Sequence, residues 1–212
     1  MSALLQTSLL DGLASSEGPA LGDLRALRRT ELGRGAWVDV LPGWVSGSDD
    51  VFVDLVTGVP WREEQRRMYD RVVEVPRLLC WYGQGAALPA PVLAEARERL
   101  SAYYAAELGE PLRTAGLCYY RDGRDSVAWH GDRIGRGRTS DTVVAIISFG
   151  APRRLLLRPT GGGGTTHGFA LGHGDLLVMG GSCQRTWEHA VPKTASPVGP
   201  RISVQLRPRG VR

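Results

Sequence analysis

The chain has 212 residues, 42% of them hydrophobic and 23% charged, a balance that suits one globular domain and argues against disorder. No run of roughly 18 apolar residues occurs, so no transmembrane helix is expected, and the opening MSALLQTSLLDGLASSEG has no basic region ahead of its leucines, so no secretory signal is expected either. The net charge is +4, the pI is near 9.2, and Lys193 is the only lysine. Almost all of the positive charge is therefore guanidinium, which favours bidentate contacts to phosphate and carboxylate and is compatible with a nucleic-acid partner.

In chain order, residues 1–35 read as an N-terminal extension with a short helical pattern around Leu21 to Leu32. From Ala36 to Val45 apolar and polar residues alternate and then break at Pro42-Gly43, which predicts a strand and a turn. Ser46-Gly47-Ser48 offers capping side chains for a helix carrying Val51, Val53, Leu55 and Val56. The stretch Val59 to Gly83 passes from charges into a proline-bounded apolar segment ending in Trp81 and Tyr82, and is expected to lie over a groove. Leu93, Ala96, Leu100, Tyr104 and Leu108 recur at three- and four-residue spacing, which makes Pro91 to Leu108 the clearest helix.

After Gly109 the pattern changes to short strands: Ala115 to Tyr120, Ser126 to His130, Thr142 to Phe149, Arg154 to Arg158, Asp175 to Met179 and Arg201 to Leu206. Gly- and Pro-rich turns separate them, most plainly Gly161 to Gly164, which reads as a hairpin tip. The expected fold class is α+β, a jelly roll preceded by helices that cover one sheet. It occupies a single domain over 36–212, with helical support and a lid over 36–114 and the core over 115–212. Cys80, Cys118 and Cys183 are odd in number, far apart and match no zinc spacing, so they read as reduced thiols of a cytoplasmic protein.

The chemistry concentrates at Trp129-His130-Gly131-Asp132. A His and an Asp one residue apart on an extended strand project to the same side, so an imidazole nitrogen and a carboxylate oxygen can share a metal ion. A third ligand must come from His167, His173 or His189. His167 and His173 flank the Gly-rich tip and the following turn. His189 lies in a segment whose alternation sets Trp187, His189 and Val191 on one side. H-x-D with a distant His is the pattern of the two-histidine, one-carboxylate site that leaves open positions on Fe(II), although two imidazoles and a carboxylate also serve zinc. The C-terminal strand favours iron: Arg201, Ser203, Gln205 and Arg207 face one way and Ile202, Val204 and Leu206 the other, so two arginines offer a site for a dicarboxylate.

With YYRDGRDSVAWHGD, GDLLVMGGSCQRTWEHAVPK and PRISVQLR in view, the chain resembles the AlkB family of Fe(II)/2-oxoglutarate dioxygenases that demethylate alkylated nucleic acids. The resemblance runs from about Val59 to Arg207. It implies a double-stranded β-helix (jelly-roll) core with a nucleotide-recognition lid, Fe(II) held by His130, Asp132 and His189, and 2-oxoglutarate held through Arg201 and Arg207, with dioxygen as the oxidant.

In that family an Asn-x-Tyr pair also contacts the cosubstrate. The matching positions here are Cys118 and Tyr120. Tyr120 is kept, whereas a thiol is a weaker donor than an amide, and Ser203 is expected to compensate. The family's acidic base-reading residue corresponds to Ile134 here. VPRLLCWYGQG resembles the lid, which implies that Tyr82 and Trp81 touch an extruded base, while Arg133, Arg136 and Arg138 beside the mouth suit phosphates. Implied is a monomeric demethylase of N-alkylated DNA or RNA. An oxygenase of the same fold acting on protein or a small molecule, and a binding module without turnover, are the alternatives.

Overall fold

The structure, a computed structural model, describes residues 18–68, 71–132, 136–163 and 166–211. Strands β1 (Ala20–Leu21), β2 (Arg28–Gly33), β3 (Ala36–Leu41) and β4 (Val45–Ser46) precede helix α1 (Ser48–Gly58). A hairpin of β5 (Gln65–Met68) and β6 (Arg71–Glu74) leads into β7 (Leu78–Tyr82), followed by helices α2 (Pro91–Tyr103) and α3 (Ala105–Leu108). Then come β8 (Thr114–Tyr120), β9 (Val127–His130), β10 (Val144–Gly150), β11 (Arg153–Pro159), β12 (His167–Leu171) and β13 (Asp175–Gly181). The one-turn helix α4 (Cys183–Thr186), β14 (Trp187–Val191) and β15 (Arg201–Arg207) complete the chain.

A seven-stranded sheet, β2-β3-β13-β10-β15-β8-β7, faces a four-stranded one, β12-β11-β14-β9, and every pairing in both is antiparallel. This is the jelly roll read from the strand spacing. Because side chains alternate along each strand, the large sheet serves two apolar layers. Val38, Val144, Ile146, Leu177 and Met179 meet Leu155, Leu157, Trp187 and Val191 between the sheets. On the other face Ala115, Leu117, Ile147, Val178 and Val204 meet Val51 and Leu55 of α1 and Leu93, Ala96 and Leu100 of α2. Each fully buried leucine contributes about 2 kcal/mol of transfer free energy, so this second layer fastens the helices to the sheet.

The expected strands match to within a few residues. Leu21 to Leu32 does not form a helix: Leu24–Ala26 is a single 3-10 turn in which the Asp23 side chain caps the Arg25 N–H, and β2 then pairs with β3. The leucine spacing there comes from a turn that buries Leu24 and an edge strand in which only Leu32 is buried, and residues 18–35 are thereby built into the fold. At α1 the capping residue is Gly47 in the left-handed region (φ 62°), and no side chain caps the helix. Ser48 donates to the Val45 carbonyl instead. The helix expected from Pro91 to Leu108 breaks at Tyr104, which leaves the helical region (φ −97°, ψ 22°) and points its ring into the core. The Gly-rich tip does join two strands, β11 and β12, with Gly161, Gly162 and Gly163 all at positive φ.

The Tyr104 break is held by a polar cluster. Its hydroxyl donates to Asp39 Oδ2 at 2.8 Å, and Arg29 donates to both Asp39 oxygens at 2.8 Å while lying over the Trp37 ring. A buried carboxylate deprived of one donor loses that hydrogen bond without regaining water. Tyr104→Phe is therefore expected to lower stability by about 1–2 kcal/mol in urea unfolding; an unchanged midpoint would show that the cluster contributes no net stability.

Candidate active site

The bulge between β14 and β9 brings the site together: the register sets His189 opposite His130 and shifts before Val191 meets Val127. The two imidazoles lie with ring centroids 4.2 Å apart, and Asp132, just past the end of β9, brings its Oδ1 to 3.8 Å from His130 Nε2. One ligand atom from each of His130, Asp132 and His189 lies within 4.8 Å of the others. The three residues singled out from sequence are thus brought together. His167 and His173 are not: His167 packs edge-on to Trp187, and His173 accepts from Gly150 N–H between Phe52 and Phe149.

Their protonation states suit a cation. The Ala128 carbonyl, 2.9 Å from His130 Nδ1, can only accept, so Nδ1 carries a hydrogen and Nε2 is the ring atom turned toward Asp132. Burial, and then the neighbouring His130, push the His189 pKa down to about 3, so this imidazole is neutral near pH 7. Burial works to raise the Asp132 pKa, but Arg207, His189 and His130 outweigh it and hold the carboxyl at about 2. Arg207 Nε donates to Asp132 Oδ2 at 2.7 Å, which leaves Oδ1 turned toward His130. Two imidazoles, one of them held neutral by burial, and an ionised carboxylate on one side of a cavity form a donor set that fits Fe(II).

Two of the cavities lined by His130 also take in a second member of the triad. The narrower lies between the sheets and is lined by Tyr120, His130, His189, Arg201, Ser203 and Arg207 among others. Arg201 is almost fully buried there: Nε donates to Ser148 Oγ at 2.9 Å, the guanidinium stands 5.2 Å from the Tyr120 ring centre, and Nη1 has no partner among the described residues. Burial pulls its pKa below the ordinary arginine value. A buried guanidinium with an unspent N–H, facing a cavity that Arg207 also lines, fits a dicarboxylate such as 2-oxoglutarate.

The second cavity, about 510 Å³, is lined by Glu64, Arg77, Leu79, Trp81, Asp132 and Arg207 among others. Strand alternation decides which lid aromatic reaches it. Trp81 pairs with Gly116, is 40% exposed and lines the cavity. Tyr82 pairs with Ala115, so it points the other way and packs with Cys80 and Tyr119 against the helix-side core, where burial raises its pKa to about 12. The sequence reading placed both beside the base, and the pleat separates them. Gly116 is needed beneath Trp81, because a Cβ there would lie 2.7 Å from Arg207 Nη1.

Two residues at the site escaped the sequence reading. Gln184 in α4 accepts from Asp132 N–H at 2.8 Å and so fixes the ligand's backbone. Arg77 borders both cavities, donates to the Ser126 carbonyl at 3.0 Å and has a buried Nε without a partner among the described residues. The signal for Arg77 was available, since residues 77, 79 and 81 share one face of the lid strand. Cys118 lies in the narrow cavity opposite Ser203. Arg133 and Ile134 lie outside the described residues, while Arg136 and Arg138 form a 3-10 turn in which Arg138 is exposed.

The profile of the 2OG-Fe(II) oxygenase superfamily matches residues 40–207. The chain is 32% identical to the alpha-ketoglutarate-dependent dioxygenase alkB homolog 3 of Bos taurus over 203 residues, covering 82% of this chain and 68% of that protein. It is 28% identical to the DNA oxidative demethylase ALKBH2 of Arabidopsis thaliana, over 93% of this chain and 74% of the relative. Among solved structures, OsALKBH1 superposes with a TM-score of 0.57 at 14% identity, covering 84% of this chain and all of that one. A Trichoplax adhaerens prolyl hydroxylase complexed with a hypoxia-inducible-factor peptide gives 0.56 at 12%, covering 80% and 83%. At such identities the solved structures speak for the fold alone.

Arg207→Met removes the cation that balances Asp132. It is expected to weaken Co(II) binding by about 10- to 100-fold, the range for groups that orient a metal ligand, as measured by calorimetric titration. Unchanged affinity would mean that Asp132 is oriented without it.

Proposed function

Since the chain belongs to the AlkB family within the 2OG-Fe(II) oxygenase superfamily, we propose that it is an oxidative demethylase of N-alkylated bases in nucleic acid. One observation carries the reading: His130, Asp132 and His189 stand where an arginine-lined cavity and an aromatic-walled cavity meet. The first is built for a small dicarboxylate and the second has room for a flat ring. A relative sharing 28% identity is a DNA oxidative demethylase, which supports the substrate class.

In this reading His130, Asp132 and His189 hold Fe(II). Bound Fe(II), with 2-oxoglutarate and dioxygen, supplies the oxidation of an N-methyl group to a hydroxymethyl group that departs as formaldehyde, while the cosubstrate becomes succinate and carbon dioxide. Arg201 pairs its unspent Nη1 with the far carboxylate of the cosubstrate, where burial strengthens the contact. Arg207, tied to Asp132, would lie nearer the metal end of the cosubstrate, and it holds the Asp132 carboxyl ionised. Tyr120 and Ser203 line the space between them.

On the substrate side Trp81 offers its face to an extruded base. Arg133, Arg136 and Arg138, close in sequence to Asp132, are assigned to phosphates, a role supported by arginine's geometry and the chain's net charge of +4. The protein is read as a monomer of the cytoplasm, supported by three free thiols at Cys80, Cys118 and Cys183. Among the described residues no helix is long and apolar enough to cross a membrane.

The deciding assay compares succinate formation with and without methylated single-stranded oligonucleotide. Formaldehyde release and a rise in succinate on adding the oligonucleotide are expected, both abolished in His130→Ala. Equal succinate with and without it, and no formaldehyde, would move the substrate to a protein or a small molecule. Trp81→Ala should raise the oligonucleotide KM by about 5- to 100-fold, the worth of one base stack, with the 2-oxoglutarate KM unchanged; a shift in the latter alone would remove Trp81 from the substrate side.

A further inference from the structure

Gln205 is a buried amide on the same face of β15 as Arg201, Ser203 and Arg207, and the roles assigned above leave it unused. Its side chain folds back along its own strand. Nε2 lies 3.1 Å from the Ser203 carbonyl oxygen and 2.5 Å from Ser203 Oγ, and Oε1 lies 3.7 Å from Cys118 Sγ. The backbone carbonyl fixes which way the amide points: it can only accept, so the atom facing it must be the nitrogen. The amide oxygen is then left to take the Cys118 thiol.

This order sets a direction along the row. Cys118 S–H donates to Gln205, Gln205 N–H donates to Ser203 Oγ, and the hydroxyl oxygen, having accepted, still has its own hydrogen to place. No acceptor for it is found among the described residues. Ser203 stands on β15 between Arg201 and Arg207 and lines the cavity that His130 and His189 share. A chain of this kind polarises its terminal donor, and a buried donor without an acceptor is costly until a ligand supplies one.

We infer that Gln205 is a positioning residue for the cosubstrate: with its amide oriented by Cys118 and the Ser203 carbonyl, it holds the Ser203 hydroxyl so that the O–H donates to 2-oxoglutarate between the two arginines. The inference rests on the oxygenase reading above. It also accounts for Cys118. The thiol need not contact the cosubstrate, because its work is to keep the amide oxygen of Gln205 occupied. Register allows this, since Ser203 pairs with Cys118 and Gln205 with Gly116, whose missing Cβ leaves the amide room.

The test is anaerobic titration of the Mn(II)-loaded full chain with 2-oxoglutarate by calorimetry, without nucleic acid. Gln205→Met, close in volume but with no N–H, and Ser203→Ala are each expected to weaken the Kd about tenfold, the worth of one hydrogen bond to a carboxylate. Because both changes cut the same relay, the double variant should lose no more than about tenfold in total, where independent effects would multiply to about a hundredfold.

An unchanged Kd in Gln205→Met, multiplicative losses, or a loss confined to the oligonucleotide KM would each overturn the inference. Failure of the wild-type chain to bind 2-oxoglutarate would overturn the oxygenase reading instead. Should Gln205→Met not fold, as judged by thermal unfolding, Gln205→Asn replaces it: the shortened amide cannot reach Ser203 and should weaken the Kd to the same extent, and an unaltered Kd would count against the relay.

Discussion

A guanidinium enclosed between two sheets cannot keep its water and must find anions or lone pairs within the protein. All seven residues of Arg201–Arg207 are buried, and their alternation sends Ile202, Val204 and Leu206 to the helix side and Arg201, Ser203, Gln205 and Arg207 to the space between the sheets. Desolvating two arginines there is expensive, and only part of the cost is met within the chain. Arg207 is matched by Asp132 at 2.7 Å, whereas Arg201 keeps an N–H with no partner among the described residues. That imbalance turns the interior of a jelly roll into a binding site, because the site is completed by a ligand that brings negative charge.

The same constraint shapes the metal centre. Asp132 is buried enough that it would hold its proton were it alone, yet the Arg207 guanidinium beside it is the largest influence that keeps it ionised. His189 is buried enough to stay neutral. Asp132 and His189 are therefore prepared for a divalent cation by their surroundings, and the pairing of β11 with β14, and of β14 with β9 across a shift in register, sets the two histidines opposite each other. Further from the centre, Gln184 holds the Asp132 backbone and Gly116 leaves space for Arg207 and Trp81 to approach each other. Small groups that bear no chemistry thus decide whether the reactive ones are aligned.

Much of this was legible in the sequence. The H-x-D pair, the distant histidine and the two arginines at a spacing of six residues specify ligand types and strand faces, because a period of two is read directly from the residues. Short Gly- and Pro-bounded strands specified the jelly roll. Leucines at 21, 24, 27 and 32 gave a helical spacing without a helix, since Asp23 closes a single turn and the polar residues of Arg28–Gly33 suit a sheet edge. Tyr104 continued the apolar stripe of a helix in sequence, but its hydroxyl is drawn to Asp39, 65 residues away, and the helix breaks there.

The sequence alone therefore determined which residues are chemically able to hold a metal and a dicarboxylate, because that depends on residue type and on alternation within one strand. Only the tertiary structure decided relations between strands, which depend on register. Register set Trp81 over Gly116 and turned Tyr82 to the helices; it set Cys118 opposite Ser203, within reach of the Gln205 amide. A shift of one residue in either pairing would exchange the faces and leave the same side chains unable to meet.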